Sequence, residues 1–191
     1  MSTRLPASER RALILDAAGR LFGERGYDAT RLEQVAAAAG VTKPILYRHF
    51  ASKQDLYLAL LARHGDDLPT FTAGMTFDGP LEQRLRAVLD GWFVYVEAHV
   101  YSWRMLFRDS GGGPEVDAAR RVVHQRARAV LTELIGAAAG DRIPRREHEP
   151  LAELLSMGMA SLVLWWLDDP AADRDAIVDA MTRTWAGVLS A

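Results

Sequence analysis

Residues 30–53 leave the backbone few choices. Thr30-Arg31-Leu32-Glu33 has the S/T-x-x-E pattern of a capping box and leads into Val35 and four successive alanines, 36–39. The helix it starts is short and smooth-faced, so another helix can approach closely. Gly40 stops it. Thr42 can cap the next helix, with Pro44 in the first turn, where a missing N–H costs nothing. Ser52 starts a further helix, with Asp55 three residues on. Helices this short are not stable alone. They must pack as a pair across a tight turn, which is a helix-turn-helix. Lys43, Tyr47, Arg48 and His49 crowd polar and basic groups onto the second helix. Lys53 places a cation in the first turn of the following one, against the helix macrodipole. An anion such as a phosphate at that N-terminus removes the conflict.

Periodicity extends the helical pattern to both sides. Upstream, Ser8 is the expected N-cap of a helix to about Arg25. Ile14, Ala18, Leu21 and Phe22 form its apolar stripe, and Gly26 stops it. The helix from Ser52 is expected to run to about Asp67 as a link. Residues 68–80, with two prolines and two glycines, are the expected break. Helices follow over about 80–99, 102–108, 114–139, 145–167 and 173–189, with the triple glycine 111–113 as a plain linker. There is no strand pattern. The expected fold is all-α, about nine helices: a helix-turn-helix domain over 1–55 with a linking helix 52–67, and a helical body over 68–191.

Composition narrows the function classes. Of 191 residues none is cysteine, which excludes disulfides and thiolate metal sites and fits a reducing cytoplasm. No signal-peptide pattern opens the chain. The longest uncharged apolar run, Leu154 to Leu167, has 14 residues, short of the roughly 20 that span a bilayer. No membrane role is therefore expected. Net charge is -2, unevenly distributed: residues 1–55 hold 9 Arg/Lys against 6 Asp/Glu, and the remainder 14 against 19. A slightly basic head on an acidic body fits nucleic-acid binding by the head. The five histidines have no metal-ligand spacing. No nucleophile-elbow or dinucleotide motif is present, and no cofactor is expected. The chain reads as a non-enzyme; the competing class is a helical ligand-binding or scaffolding protein without DNA binding.

Ala17-Ala18…Leu21-Phe22…Gly26-Tyr27…Thr30, then Val35-Ala36…Ala39-Gly40-Val41-Thr42, then Leu46-Tyr47-Arg48-His49-Phe50…Ser52-Lys53…Leu56 resemble the tetracycline-repressor-like (TetR) family of bacterial transcription regulators. The match is dense over residues 10–60, without insertion. Arg31, Pro44 and Ile45 depart from the commonest pattern, at positions that bear on base choice. The resemblance implies a homodimer that sets two recognition helices, Thr42 to His49, into successive major grooves of a palindromic double-stranded operator. It implies repression relieved by a small-molecule effector; activation is the other sign of control. Phosphate contacts fall to Thr30, Tyr47, His49 and Lys53. Base contacts fall to Thr42, Lys43, Pro44, Ile45 and Arg48. Lys43 suits guanine, and Pro44 and Ile45 suit a thymine methyl.

In the body, Leu154–Leu167 is apolar all round and so needs burial on two sides. The family dimerises through a four-helix bundle, which implies an interface of Leu154, Leu155, Gly158, Met159, Ser161, Leu162 and Trp166, with Ile177, Met181 and Trp185 from the last helix. An effector pocket is implied within the body. Its candidate wall is Trp92, Tyr95, Val96, Trp103, Met105, Phe107, Val123 and Trp165, with His99, Arg104 and His124 as polar contacts. Such a wall suits an apolar or aromatic molecule.

Overall fold

A computed structural model describes residues 6–73 and 79–190, with backbone alone over 66–73. Nine helices are present among the described residues: α1 Ala7–Ala29, α2 Leu32–Ala38, α3 Lys43–His49, α4 Lys53–Ala73, α5 Leu81–Ala98, α6 Val100–Phe107, α7 Gly113–Ala139, α8 Arg145–Asp168 and α9 Arg174–Ser190. The described residues contain no strand.

The boundaries follow local chemistry, with three corrections. Pro6, not Ser8, occupies the N-cap of α1; its carbonyl accepts from Arg10 N–H at 3.1 Å. Gly26 breaks the helix as expected, with φ 79°, a conformation that only glycine, lacking a Cβ, adopts at little cost. The box ahead of α2 is shifted by one residue. Arg31 is the N-cap, and its backbone N–H donates to Gln34 Oε1 at 3.1 Å. Glu33 is thereby left to pair elsewhere. Finally, α4 continues to Ala73, past Pro69, which costs one i→i−4 hydrogen bond. Of the break expected over 68–80, residues 74–78 lie outside the described residues.

The chain divides into two compact units. One contains Met1–Gly65 with Tyr101–Val123, the other Asp66–Val100 with His124–Ala191. The core of the first is built from Ile14, Leu15, Ala18 and Phe22 of α1, Leu32 and Val35 of α2, Leu46 of α3, Phe50, and Leu56, Tyr57, Leu60 and Leu61 of α4. Met105 of α6 and Val116 of α7 join the same cluster. In the second unit, α5 and α9 pack together, and Leu85, Leu89, Phe93, Ile177, Val178 and Met181 on these helices are buried. Ion pairs Arg86–Asp179 and Arg174–Asp90 tie the two helices at their surface.

Helix α8 is long and apolar enough to cross a bilayer by length and composition. Its packing is one-sided. Ala152, Leu155, Ala160 and Val163 are buried, while Leu154, Met157 and Trp165 are 67%, 52% and 51% exposed.

Candidate functional site

Helix α3 is held from below and open above. Leu46 and Phe50 are buried at 0% and 1% exposure and anchor it to the core. Thr42, Lys43, Pro44, Tyr47 and Arg48 are exposed; Ile45 and His49 are half-buried. Thr42 sits at the N-cap by backbone conformation, without using its side chain as a cap. The short helix thus presents one continuous polar and basic face, and its buried residues are spaced to keep that face outward.

Charge around it is partly pre-committed. Lys43 Nζ pairs with Glu33 Oε1 at 2.5 Å, and both side chains are more than half exposed. The pair lowers the Glu33 carboxyl and raises the Lys43 ammonium from their ordinary values, mainly through the hydrogen bond between them. Lys43 also lies 5.8 Å from the Tyr47 ring. His49 is held below the ordinary imidazole value, first by desolvation and then by the positive charges of Arg48, Arg10 and Arg11. Its Nε2 is buried without a hydrogen-bond partner. Arg11 lies over the Phe50 ring at 4.9 Å. Arg10 and Arg11 therefore extend the basic rim of α3 from α1. Sequence analysis passed over them as site residues; the signal available was the surplus of basic residues in the first 55.

Two expected phosphate contacts are placed differently. Thr30 is 1% exposed, and its hydroxyl is directed at Gly26 O (2.8 Å) and Leu21 O (3.2 Å). It holds the turn after the Gly26 break, which removes it from the outward set. Lys53 Nζ donates to Tyr27 O at 2.9 Å and Thr30 O at 3.1 Å, and sits over the Tyr27 ring at 4.3 Å. Its charge stays at the start of α4, where Ser52 Oγ accepts from Asp55 N–H at 3.0 Å. The carbonyls it meets are the internal answer to the cation placed there.

A cavity of about 190 Å³ opens in the second unit, lined by Leu81, Leu85 and Val88 of α5, Leu131, Leu134, Ile135, Ala137 and Ala138 of α7, Leu155 of α8, and Trp185 and Leu189 of α9. Arg84 is the one charged residue in its wall. None of the residues expected to form a pocket lines it. Trp92 stacks on Tyr95, and Tyr95 on His99, at 5.5 and 4.3 Å between ring centres. Val96 is core, and His124 is half-buried. Trp103 packs on Phe107 at 4.5 Å, beside buried Met105 and half-buried Arg104, in the other unit with Val123. Trp165 stands on the outer side of α8.

The expected interface residues also divide. Leu154, Gly158 and Ser161 are exposed, and Met159, Leu162 and Trp166 are half-buried, Trp166 against Phe93 at 5.0 Å. Leu155, Ile177, Met181 and Trp185 are buried within the protomer and are not available to a partner. The outward side of α9 is instead Ala176, Ala180, Arg183, Thr184 and Gly187. The apolar stripe of α9 is used up by α5 of the same chain.

Comparison with known proteins agrees with this architecture. Residues 14–60 match the model of bacterial regulatory proteins of the tetR family, and residues 81–187 match a tetracyclin repressor-like C-terminal domain. The HTH-type transcriptional activator FasR of Mycolicibacterium smegmatis is 33% identical over 188 residues, covering 97% of this chain and 85% of that one. The HTH-type transcriptional repressor KstR of Rhodococcus jostii is 27% identical over 163 residues, covering 82% of this chain and 73% of that one. The structure of AibR, in complex with isovaleryl coenzyme A and operator DNA, shares the fold with a TM-score of 0.69 at 23% identity, over 91% and 96% of the two chains. With both domain models matched in order and an outward basic helix within the first of them, the chain belongs to the TetR family of DNA-binding transcriptional regulators.

Proposed function

We propose that the protein acts in the cytoplasm as a homodimer on a two-fold symmetric operator and is controlled by an apolar small molecule. The observation that carries the DNA part is the exposed face of α3 over a buried Leu46–Phe50 anchor. Thr42, Lys43, Pro44, Ile45 and Arg48 read base edges in the major groove, and Tyr47 and His49 contact phosphates, with Arg10 and Arg11 adding charge. A helix of 7 residues offers too little area alone. Two copies on adjacent turns supply the rest, and two-fold protein symmetry calls for a palindromic site.

The dimer is supported by the unpartnered stripe on α8. Leu154, Met157, Gly158, Ser161 and Trp165 are all exposed on one side of a helix whose other side is core. A second copy of α8, with the small residues on the outward side of α9, covers it. The effector site is supported by the apolar cavity between α5, α7, α8 and α9. At about 190 Å³ it is comparable to a cavity that accepts a benzene-sized molecule, and smaller than a drug-sized pocket. It therefore takes a small apolar group.

The sign of control is set by where the operator lies relative to a promoter, and similar sequences are named both activator and repressor. Repression by promoter occlusion is the proposed mode, with effector binding favouring a conformer whose paired heads no longer match the grooves. Selection of genomic fragments with the full-length protein tests the proposal. One enriched palindrome supports it; fragments bound without common sequence overturn it.

A further inference from the structure

We propose that the unit presenting α3 to DNA is larger than the N-terminal helices: a buried Asp109–Arg120 pair welds residues 101–123 to the head, and these two residues position the recognition helix. Asp109 follows α6 and Arg120 lies on α7, far in sequence from α3, yet both fall in the compact unit that contains it. The Arg120 and Asp109 side chains are 7% and 10% exposed, and their N···O separation is 3.5 Å.

The pair reaches the head directly. Asp109 Oδ2 accepts from Tyr27 N–H at 2.8 Å and from the Tyr57 hydroxyl at 2.9 Å. Arg120 Nη2 donates to the Tyr57 hydroxyl at 2.7 Å and to Gly111 O at 2.9 Å, and Nη1 donates to Asp117 at 3.0 Å. Tyr27 lies immediately after the Gly26 break, where no helical partner exists for its N–H. Its carbonyl in turn accepts from Lys53, at the start of α4. One short path therefore runs from Arg120 through Asp109 and Tyr27, at the end of α1, to Lys53 at the start of α4, the helix that follows α3. Buried charges have no solvent to replace a lost partner, so the arrangement is discrete rather than graded.

A second, independent contact fixes the same segment. A Cβ added at Gly23 of α1 would stand 2.7 Å from Tyr101 Cα, at the start of α6. Two backbones that close tolerate no side chain between them. Gly23–Tyr101 and Tyr27–Asp109 pin α1 to residues 101–109 at two points about one helical turn apart.

This inference rests on the paired binding proposed above, because head position matters only when two heads must meet two grooves at once. Random DNA needs charge; an operator needs charge and spacing. The test compares wild type, Asp109→Asn and Gly23→Ala as full-length proteins on the selected operator and on a random duplex of equal length. Sedimentation and melting are recorded for each. Both variants are expected to stay dimeric and folded and to bind random DNA as wild type does. Operator affinity falls by about tenfold or more, in the range of ordinary coupling energies. Gln54→Ala, which removes only the exposed contact to Glu115, is expected to leave both affinities unchanged.

Operator affinity unchanged in both folded variants overturns the inference. So does a loss shared equally by operator and random DNA, which marks a folding defect. Hydrogen exchange on the wild-type protein decides if neither variant folds: amides at 26–30 and 109–120 must open together, with one free energy. Independent opening overturns the weld. Absence of any enriched operator, or a monomer in sedimentation, instead defeats the paired binding.

Discussion

Replacing Trp165 by alanine tests the α8 face with a magnitude the structure supplies. Trp165 is 51% exposed in the protomer, so of the roughly 250 Å² a large aromatic can bury, about 125 Å² is open. At about 25 cal/mol per Å², covering it is worth about 3 kcal/mol, or about 6 kcal/mol for the two copies in a symmetric dimer. Incomplete cover and lost side-chain freedom reduce this, and about half survives as affinity. A loss of about 3 kcal/mol is about a hundredfold rise in the dimer dissociation constant. Because the ring is outside the protomer core, melting of the monomeric unit changes by only about 0.5 kcal/mol. Sedimentation equilibrium over a dilution series reads the constant. Leu13→Ala, at 44% exposure on α1, serves as the control and leaves it unchanged. A folded Trp165→Ala protein that dimerises as tightly as wild type refutes the α8 contact.

Three further outcomes concern the DNA face. His49 is neutral more readily than a free imidazole, through burial and its three arginine neighbours. The unfolded chain therefore takes up the proton first, and fold stability declines as pH falls below about 6.5. A nearby phosphate raises the folded-state value again, so operator binding takes up a proton and tightens over the same window. His49→Asn abolishes that slope, and a wild-type affinity that is flat between neutral pH and the ordinary imidazole range sinks the phosphate contact. Tyr47→Ala, at a residue 44% exposed, weakens operator binding by about 1–3 kcal/mol in a gel-shift titration with melting unchanged; unaltered affinity removes Tyr47 from the face. Lys53→Ala loses hydrogen bonds to carbonyls worth about 1.5–3 kcal/mol and lowers the melting temperature, while the salt dependence of DNA binding keeps its slope. A slope flattened by about one unit in that variant would show Lys53 to be a phosphate contact instead.

The recognition helix was legible because its determinants are local. Thr42, Pro44 and Gly40 act through backbone geometry within a turn of themselves, and Leu46 and Phe50 declare an inward side by spacing. The roles of Thr30 and Lys53 were not legible. Both have the chemistry of a phosphate contact, and only the fold shows carbonyls of the Gly26–Thr30 turn already in reach of their donors. The wall of the α5–α7–α8–α9 cavity was not legible for a related reason. Aromatic residues advertise a pocket in sequence, but Trp92, Tyr95 and His99 satisfy one another by stacking. This cavity falls among mainly aliphatic side chains on four helices, and no spacing along one helix encodes a gap between four.

The α8 and α9 stripes separate what each level determines. Periodicity alone established that both helices are apolar enough to demand partners, because a side chain's position around a helix depends only on its number. Which partner each stripe meets depends on tertiary packing. The α9 stripe is consumed by α5, leaving alanine, threonine and glycine outward, while α8 keeps Leu154, Met157 and Trp165 uncovered. The same division holds for Asp109 and Arg120. As residues they are an ordinary acid and base eleven positions apart. Their burial against Tyr27 and Tyr57 comes from the chain returning to α1 and α4 after a long excursion, a long-range contact that no local preference specifies.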